Sequence, residues 1–221
     1  MSNLNTNYLT PSGREEAWRF SPVKKLQELL NADSVLSEAL SFELDNNKSG
    51  VSLESSAITP ASQTTDSASE KVRRDVKSGQ VLKIEKNFED QEPIRLTRKI
   101  DGSKPSGSRL QVIVGENAHA KLVIDNTGDA NISEEIEFIL QQGASLDFIA
   151  IQAWNSTAIH LGRHHAILAK DSTFNSIVIT MGGEVVRLLP TVEYTGPGAF
   201  ANLNGLYFAT NGQHLEHRLH V

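Results

Sequence analysis

From residue 76 onward the chain is built of short apolar runs that never lengthen into a helical period. Val81-Leu-Lys-Ile84, Ile94-Arg-Leu96, Leu110-Gln-Val-Ile-Val114, Lys121-Leu-Val-Ile124 and Ile136-Glu-Phe-Ile-Leu140 form the first half of the series. Leu146-Asp-Phe-Ile-Ala-Ile151, His165-Ala-Ile-Leu168, Ser176-Ile-Val-Ile179, Leu188-Leu-Pro-Thr-Val192 and Leu203-Asn-Gly-Leu-Tyr-Phe208 continue it. Gly, Asn, Asp and Ser separate the runs. Residues of this kind suit a pleated, half-buried surface, so residues 76–221 are expected to be an all-β core.

The first 45 residues read differently. Glu15, Glu16, Ala17 and Trp18 begin a short helical turn, and Pro22 opens a second over Val23–Leu30. Val23, Leu26, Leu29 and Leu30 follow amphipathic helical spacing. Asp33 or Ser34 is placed to cap a third piece carrying Val35, Leu36, Ala39 and Leu40. Residues 1–45 are therefore read as a helical region. Residues 46–75 follow as a flexible linker or long surface loop. Seven Ser and three Thr lie between Asn46 and Glu70, with few bulky apolar side chains to offset the entropy of ordering.

The β region repeats. Ala118, Ala144, Ser172 and Ala199 each follow a polar or Gly turn and precede a strand, at spacings of 26, 28 and 27 residues. A second strand precedes each turn. One such unit cannot bury its own apolar residues, whereas a stack of them can. The pattern predicts a β-solenoid, similar to a parallel β-helix, of about 27 residues per coil. An antiparallel barrel or jelly roll of the cupin kind is the rival, since it too alternates strands with Gly turns.

Composition narrows the chemistry. The net charge is −6, with 9 basic and 11 acidic residues before residue 78 and 12 and 16 after it, so neither half is a polycation suited to nucleic acid or anionic lipid. There is no cysteine, which removes disulfides, thiolate metal sites and a cysteine nucleophile from these residues. Met1–Phe20 contains no apolar run of signal-peptide type, and the chain is expected to be cytoplasmic.

All seven histidines lie after residue 118. His160 and His164 are four apart, but on a strand that places them on one face about 13 Å from each other. With His165 they are expected to be polar residues around a coil corner. His214, Glu216, Arg218 and His220 would share one face of a strand, opposite Leu215, His217, Leu219 and Val221. Two His and a Glu suit a metal completed by a partner's ligands, although Arg218 would more simply pair with Glu216. Glu134, Glu135 and Glu137 are the only clustered carboxylates a polysaccharide-cleaving β-helix could use. Trp154, Phe174, Phe200 and Phe208 are expected in the core rather than on a ligand platform. No catalytic or metal-binding residue is assigned, and no cofactor is expected on this chain alone.

Three stretches carry a resemblance. Gly13-Arg-Glu-Glu-Ala-Trp-Arg-Phe-Ser-Pro22 is similar to an N-terminal R-x-E-x-W-[RK]-[YF]-[ST] signature. Val192-Glu-Tyr-Thr-Gly-Pro-Gly-Ala-Phe-Ala-Asn-Leu-Asn-Gly-Leu-Tyr207 and His214-Leu-Glu-His-Arg-Leu-His-Val221 are similar to a late coil and the stretch after it. Together they resemble the SufB/SufD family of iron–sulfur cluster assembly proteins, SufD-type in particular. The resemblance implies a non-catalytic scaffold subunit that works with a SufB-type subunit and a SufC-type ABC ATPase, with a transient iron–sulfur cluster in the full complex and a link to iron acquisition. It also implies further coils, a histidine linked to cluster assembly and ATPase-gripping helices beyond Val221, so the chain is expected to be C-terminally truncated. An open coil end would invite a homodimer through solenoid edges.

Overall fold

The structure, a computed structural model, describes residues 10–38, 41–102, 104–210 and 212–220. Residues 1–9, Ala39, Leu40 and Val221 therefore lie outside the described residues. Ten strands build the main stack: β4 (Ser78–Ile84), β5 (Ile94–Asp101), β6 (Ser106–Val114), β7 (His119–Asp129), β8 (Asn131–Leu140), β9 (Ser145–Trp154), β10 (Ile159–Leu168), β11 (Thr173–Met181), β12 (Val185–Tyr194) and β13 (Phe200–Phe208). A short β14 (His214–His217) follows. Even-numbered strands from β4 to β14 pair in parallel to form one sheet, and odd-numbered strands from β5 to β13 form the other. The chain alternates between the two sheets and rises by one strand at each pass. This is the expected β-solenoid, and its parallel pairing rules out the antiparallel jelly roll.

The register keeps the sequence period. His119 pairs with Ser145, Ser145 with Thr173 and Thr173 with Phe200, so successive coils are offset by 26, 28 and 27 residues. At one corner Asn87, Asn117, Gly143, Asp171 and Gly198 form a column with φ of 58°, 54°, 67°, 56° and 75°. A turn between two strands needs one left-handed residue, and Gly, Asn and Asp adopt it at the least cost. The amide of each lower member donates to the coil above, as in Asn117 N–H to Gln142 O at 3.0 Å and Gly143 N–H to Lys170 O at 3.0 Å. Ala118, Ala144 and Ser172, next in sequence, point into the lumen and are fully buried. The small side chain is required because the two sheets converge there.

The interior between the sheets is the main core. Leu110, Val112, Phe138, Leu140, Leu146, Phe148 and Phe174 fill it near the Gly143 corner, with Phe138 and Phe148 ring centroids 4.5 Å apart. Trp154 and Phe174 are buried as expected, but Phe200 and Phe208 are 57% and 60% exposed on the last coil. They lie on β13, which has a strand neighbour on one side only, so nothing among the described residues covers them.

The N-terminal part forms an arm across the outer face of the even-numbered sheet. A 3-10 turn at Glu16–Trp18, another at Val23–Leu26 and helix α1 (Gln27–Leu30) match the first two helical expectations. The third expected helical piece is not a helix over its described residues 35–38, where β1 (Ser37–Glu38) pairs with β6. β2 (Glu43–Leu44) pairs antiparallel with β5. Residues 46–75, expected to be a flexible linker, carry β3 (Val51–Ala57), antiparallel to β4, and helix α2 (Ser67–Asp75), capped by Asp66. Composition misjudged this segment because its partners come from distant β-strands. Ile58, Ala68 and Val72 are buried, and seven residues of β3 pair with β4.

Candidate functional site

Alternation along β10 separates its three histidines. His160 and His164 point into the lumen, 0% and 4% exposed, and His165 points outward beneath the arm. They sit along a strand, not around a corner, because all ten residues of β10 pair with both neighbours. The same alternation sends Glu134 inward and Glu135 and Glu137 outward from β8. The two sets of residues form two distinct polar sites.

The inner site occupies the end of the lumen opposite the aromatic core. Arg98, Asn126, Gln152 and Thr180 share one register on β5, β7, β9 and β11, and all point inward. Arg98 donates from Nε and Nη2 to Asn126 Oδ1 at 3.1 and 2.8 Å, from Nη1 to Ser108 Oγ at 2.9 Å, and from Nη2 to Glu134 Oε2. Its guanidinium also stacks 4.0 Å from the Phe42 ring centroid. Glu134 Oε1 faces His160 Nε2 at 3.5 Å, and His160 meets Trp154 edge-on at 5.4 Å. Burial alone would raise the Glu134 carboxyl, but the charge of Arg98, helped by His160, holds it well below the usual carboxylate range. His164 packs edge-on against both Phe138 and Phe148, and burial pushes its imidazole down to about 4. Thr180 Oγ1 and His217 Nε2 lie 2.9 Å apart at the last coils.

The outer site lies between the even-numbered sheet and the arm. Glu135 accepts from Arg73 Nε at 3.0 and 2.8 Å, from Arg73 Nη2 at 2.7 Å and from Arg163 Nη1 at 3.0 Å, with Arg109 Nε at 3.7 Å. Glu137 accepts from the amides of Ala61 and Ser62, the Ser62 hydroxyl and the Gln111 amide at 2.9–3.1 Å. Burial acts to raise the Glu137 carboxyl, and these donors outweigh it and lower it. Further along, Trp18 stacks 4.0 Å from the Arg187 guanidinium, which donates to Ala17 O at 3.1 Å. Glu135 and Glu137 are thus sealed by cations and donors, which leaves neither open to a sugar.

The C-terminal cluster does not form the expected pair. Arg218 donates to Glu16 O at 3.1 Å, and Glu216 accepts from the Ser21 hydroxyl at 2.7 Å with Arg187 Nε at 3.6 Å and His214 Nε2 at 3.3 Å. The arm supplies partners that a strand pattern cannot show. Among the described residues, no group of three or more His, Asp or Glu side chains could hold a metal ion. Sequence reasoning missed Arg98, Asn126, Gln152 and Thr180. Their spacings of 28, 26 and 28 residues repeat the coil period, and that signal would have found them.

Comparison with known proteins follows the same coils. Residues 98–221 match the family model described as SUF system FeS cluster assembly, SufBD core domain. The chain is 34% identical over 218 residues to an iron–sulfur cluster assembly SufBD family protein of Mycobacterium leprae, covering 96% of this chain and 55% of the relative. It is 30% identical over 217 residues to the protein of the same description from Mycobacterium tuberculosis, covering 96% and 54%. The chain spans about half the length of the curated relatives it matches. Among the described residues, no helix is long and apolar enough to cross a membrane.

Proposed function

The chain belongs to the SufBD family, and from that premise we propose that it is a non-catalytic scaffold subunit of an iron–sulfur cluster assembly complex in the cytoplasm. The observation that carries this reading is the family match over 98–221, which spans the stacked coils from β5 onward. We assign it the SufD-type role, beside a SufB-type subunit and a SufC-type ABC ATPase, with the cluster as transient cargo. Two features support a framework role. The 221 residues contain no cysteine, the residue that most often ligates a cluster. The clustered carboxylates are held by arginines and amides rather than left facing solvent.

The test is co-purification of the full-length protein with a SufB-type subunit and the ABC ATPase. Recovery of a stable three-component complex supports the assignment. Failure of the purified components to associate, with each shown to be folded, would sink it.

A further inference from the structure

Five side-chain atoms at the polar end of the lumen have no hydrogen-bonding partner in the protein, besides Glu134 Oε1 and His160 Nε2, which face each other at 3.5 Å. They are Asn126 Nδ2, Gln152 Nε2 and Oε1, Trp154 Nε1 and His160 Nδ1. Asn126, Gln152 and His160 are 0% exposed, and Trp154 is 4% exposed. Each buried polar group left unpaired costs about 1–3 kcal/mol. Five of them would rival the whole net stability of a domain, about 5–15 kcal/mol. Something pairs them in the folded protein.

The protein's own groups are poorly placed to do so. Asn126 Oδ1 is already engaged by Arg98, and the Thr180 hydroxyl by His217. Glu134 and Arg98 neutralise each other inside the lumen, so no net charge calls for an ion. The orphaned set mixes obligate donors, the Asn126, Gln152 and Trp154 N–H groups, with the Gln152 carbonyl acceptor and the His160 imidazole, which does either. A ligand matching all of them is small, uncharged and both donates and accepts.

We propose that the lumen binds a short file of ordered water molecules between Asn126, Gln152, Trp154 and His160. At about three hydrogen bonds per buried water, five atoms call for about two of them. The file runs along the solenoid axis, because Asn126, Gln152 and Thr180 occupy successive coils at one register. It reaches toward the last coils through Thr180, whose partner His217 is only half-buried. The lumen is thus wet at this end and dry around Phe138, Phe148 and Phe174. This inference stands on the side-chain geometry and does not depend on the family reading.

The test uses the 221-residue chain. A crystal structure that shows ordered solvent should place about two waters against these atoms. Oxygen-17 and deuterium magnetic relaxation dispersion should count at least one fewer long-lived internal water in Gln152→Leu than in the parent. A dry lumen in the crystal, with the amides and the His160 imidazole paired directly, overturns the proposal even if the variant fails to fold. So does an unchanged water count in a folded Gln152→Leu.

Discussion

Two corner glycines share a left-handed backbone but meet different neighbours. Gly143, at φ 67°, has the flexible end of the Asn117 side chain where a Cβ would stand. Gly182, at φ 93°, has the backbone carbonyl of Trp154 there. A side chain can rotate away and a strand carbonyl cannot. Gly143→Ala is therefore expected to cost about 1–2 kcal/mol, mainly the left-handed penalty. Gly182→Ala should cost on the order of 3 kcal/mol, because the strand must shift as well. Urea unfolding of the two variants measures the difference, and equal losses would contradict the argument. Inside the lumen, Glu134→Gln strips the charge from one partner of a fully buried ion pair and should cost about 3–5 kcal/mol. Combined with Arg98→Met it should fall short of the sum of the single losses by at least about 1 kcal/mol, the mark of direct coupling. Strict additivity in that cycle would show that the pair does not act as a unit.

At the scale of elements, the arm is held to the even-numbered sheet by charge as much as by apolar contact. Its own core of Trp18, Leu26, Leu29, Leu30, Val72 and Val76 meets the solenoid at Leu161, Val185 and Ile159. Beside this contact and the β1, β2 and β3 pairings, the arm is held through Glu135 and Glu137. Glu135 serves three arginines, whereas Arg73 is one of three cations around it. Glu135→Ala leaves Arg73, Arg109 and Arg163 buried with no shared counter-charge, and Arg73→Ala leaves Glu135 still paired with Arg163. The first should destabilise by more than the second, by about 1–3 kcal/mol. Limited proteolysis should show the same order, with cleavage in the arm appearing first in Glu135→Ala. The reverse order would mean that α2 is held by packing alone.

The whole molecule should lose stability steadily toward acid. His164 has a folded-state value of about 4 against an ordinary 6.5, because burial disfavours the imidazolium. The unfolded chain thus takes up a proton that the fold refuses, and stability falls as pH drops from 6.5 toward 4. By pH 4 this group alone removes on the order of 3 kcal/mol. Burial pushes His165 down to about 4 as well, so it acts in the same window and in the same direction. Glu134 and Glu137 are both lowered in the fold, so the stability they confer is present above the unfolded carboxylate range and is lost below about pH 4.5. Above about pH 7.5 these groups contribute almost no slope. Urea midpoints at pH 7 and pH 5 should differ in the parent and differ less in His164→Phe. An identical difference in both would remove His164 from the account.

The coil was legible in the sequence because it is local and repeated. Ala118, Ala144, Ser172 and Ala199 mark a corner that each coil must turn within its own few residues, and the strand runs between corners carry their own propensity. Spacing therefore set the solenoid, its period and its parallel stacking. The face that each polar residue occupies was also implicit in alternation, yet its partner was not. Glu134 meets Arg98 across the lumen, Glu135 meets Arg73 from the arm, and Arg218 meets the Glu16 carbonyl, 202 positions away. Such pairs join segments whose proximity is created only when the coils stack and the arm closes over them. For the same reason a Ser- and Thr-rich segment that composition marks as a linker is ordered here. Its stability comes from the surface it covers, and that surface exists only in the tertiary structure.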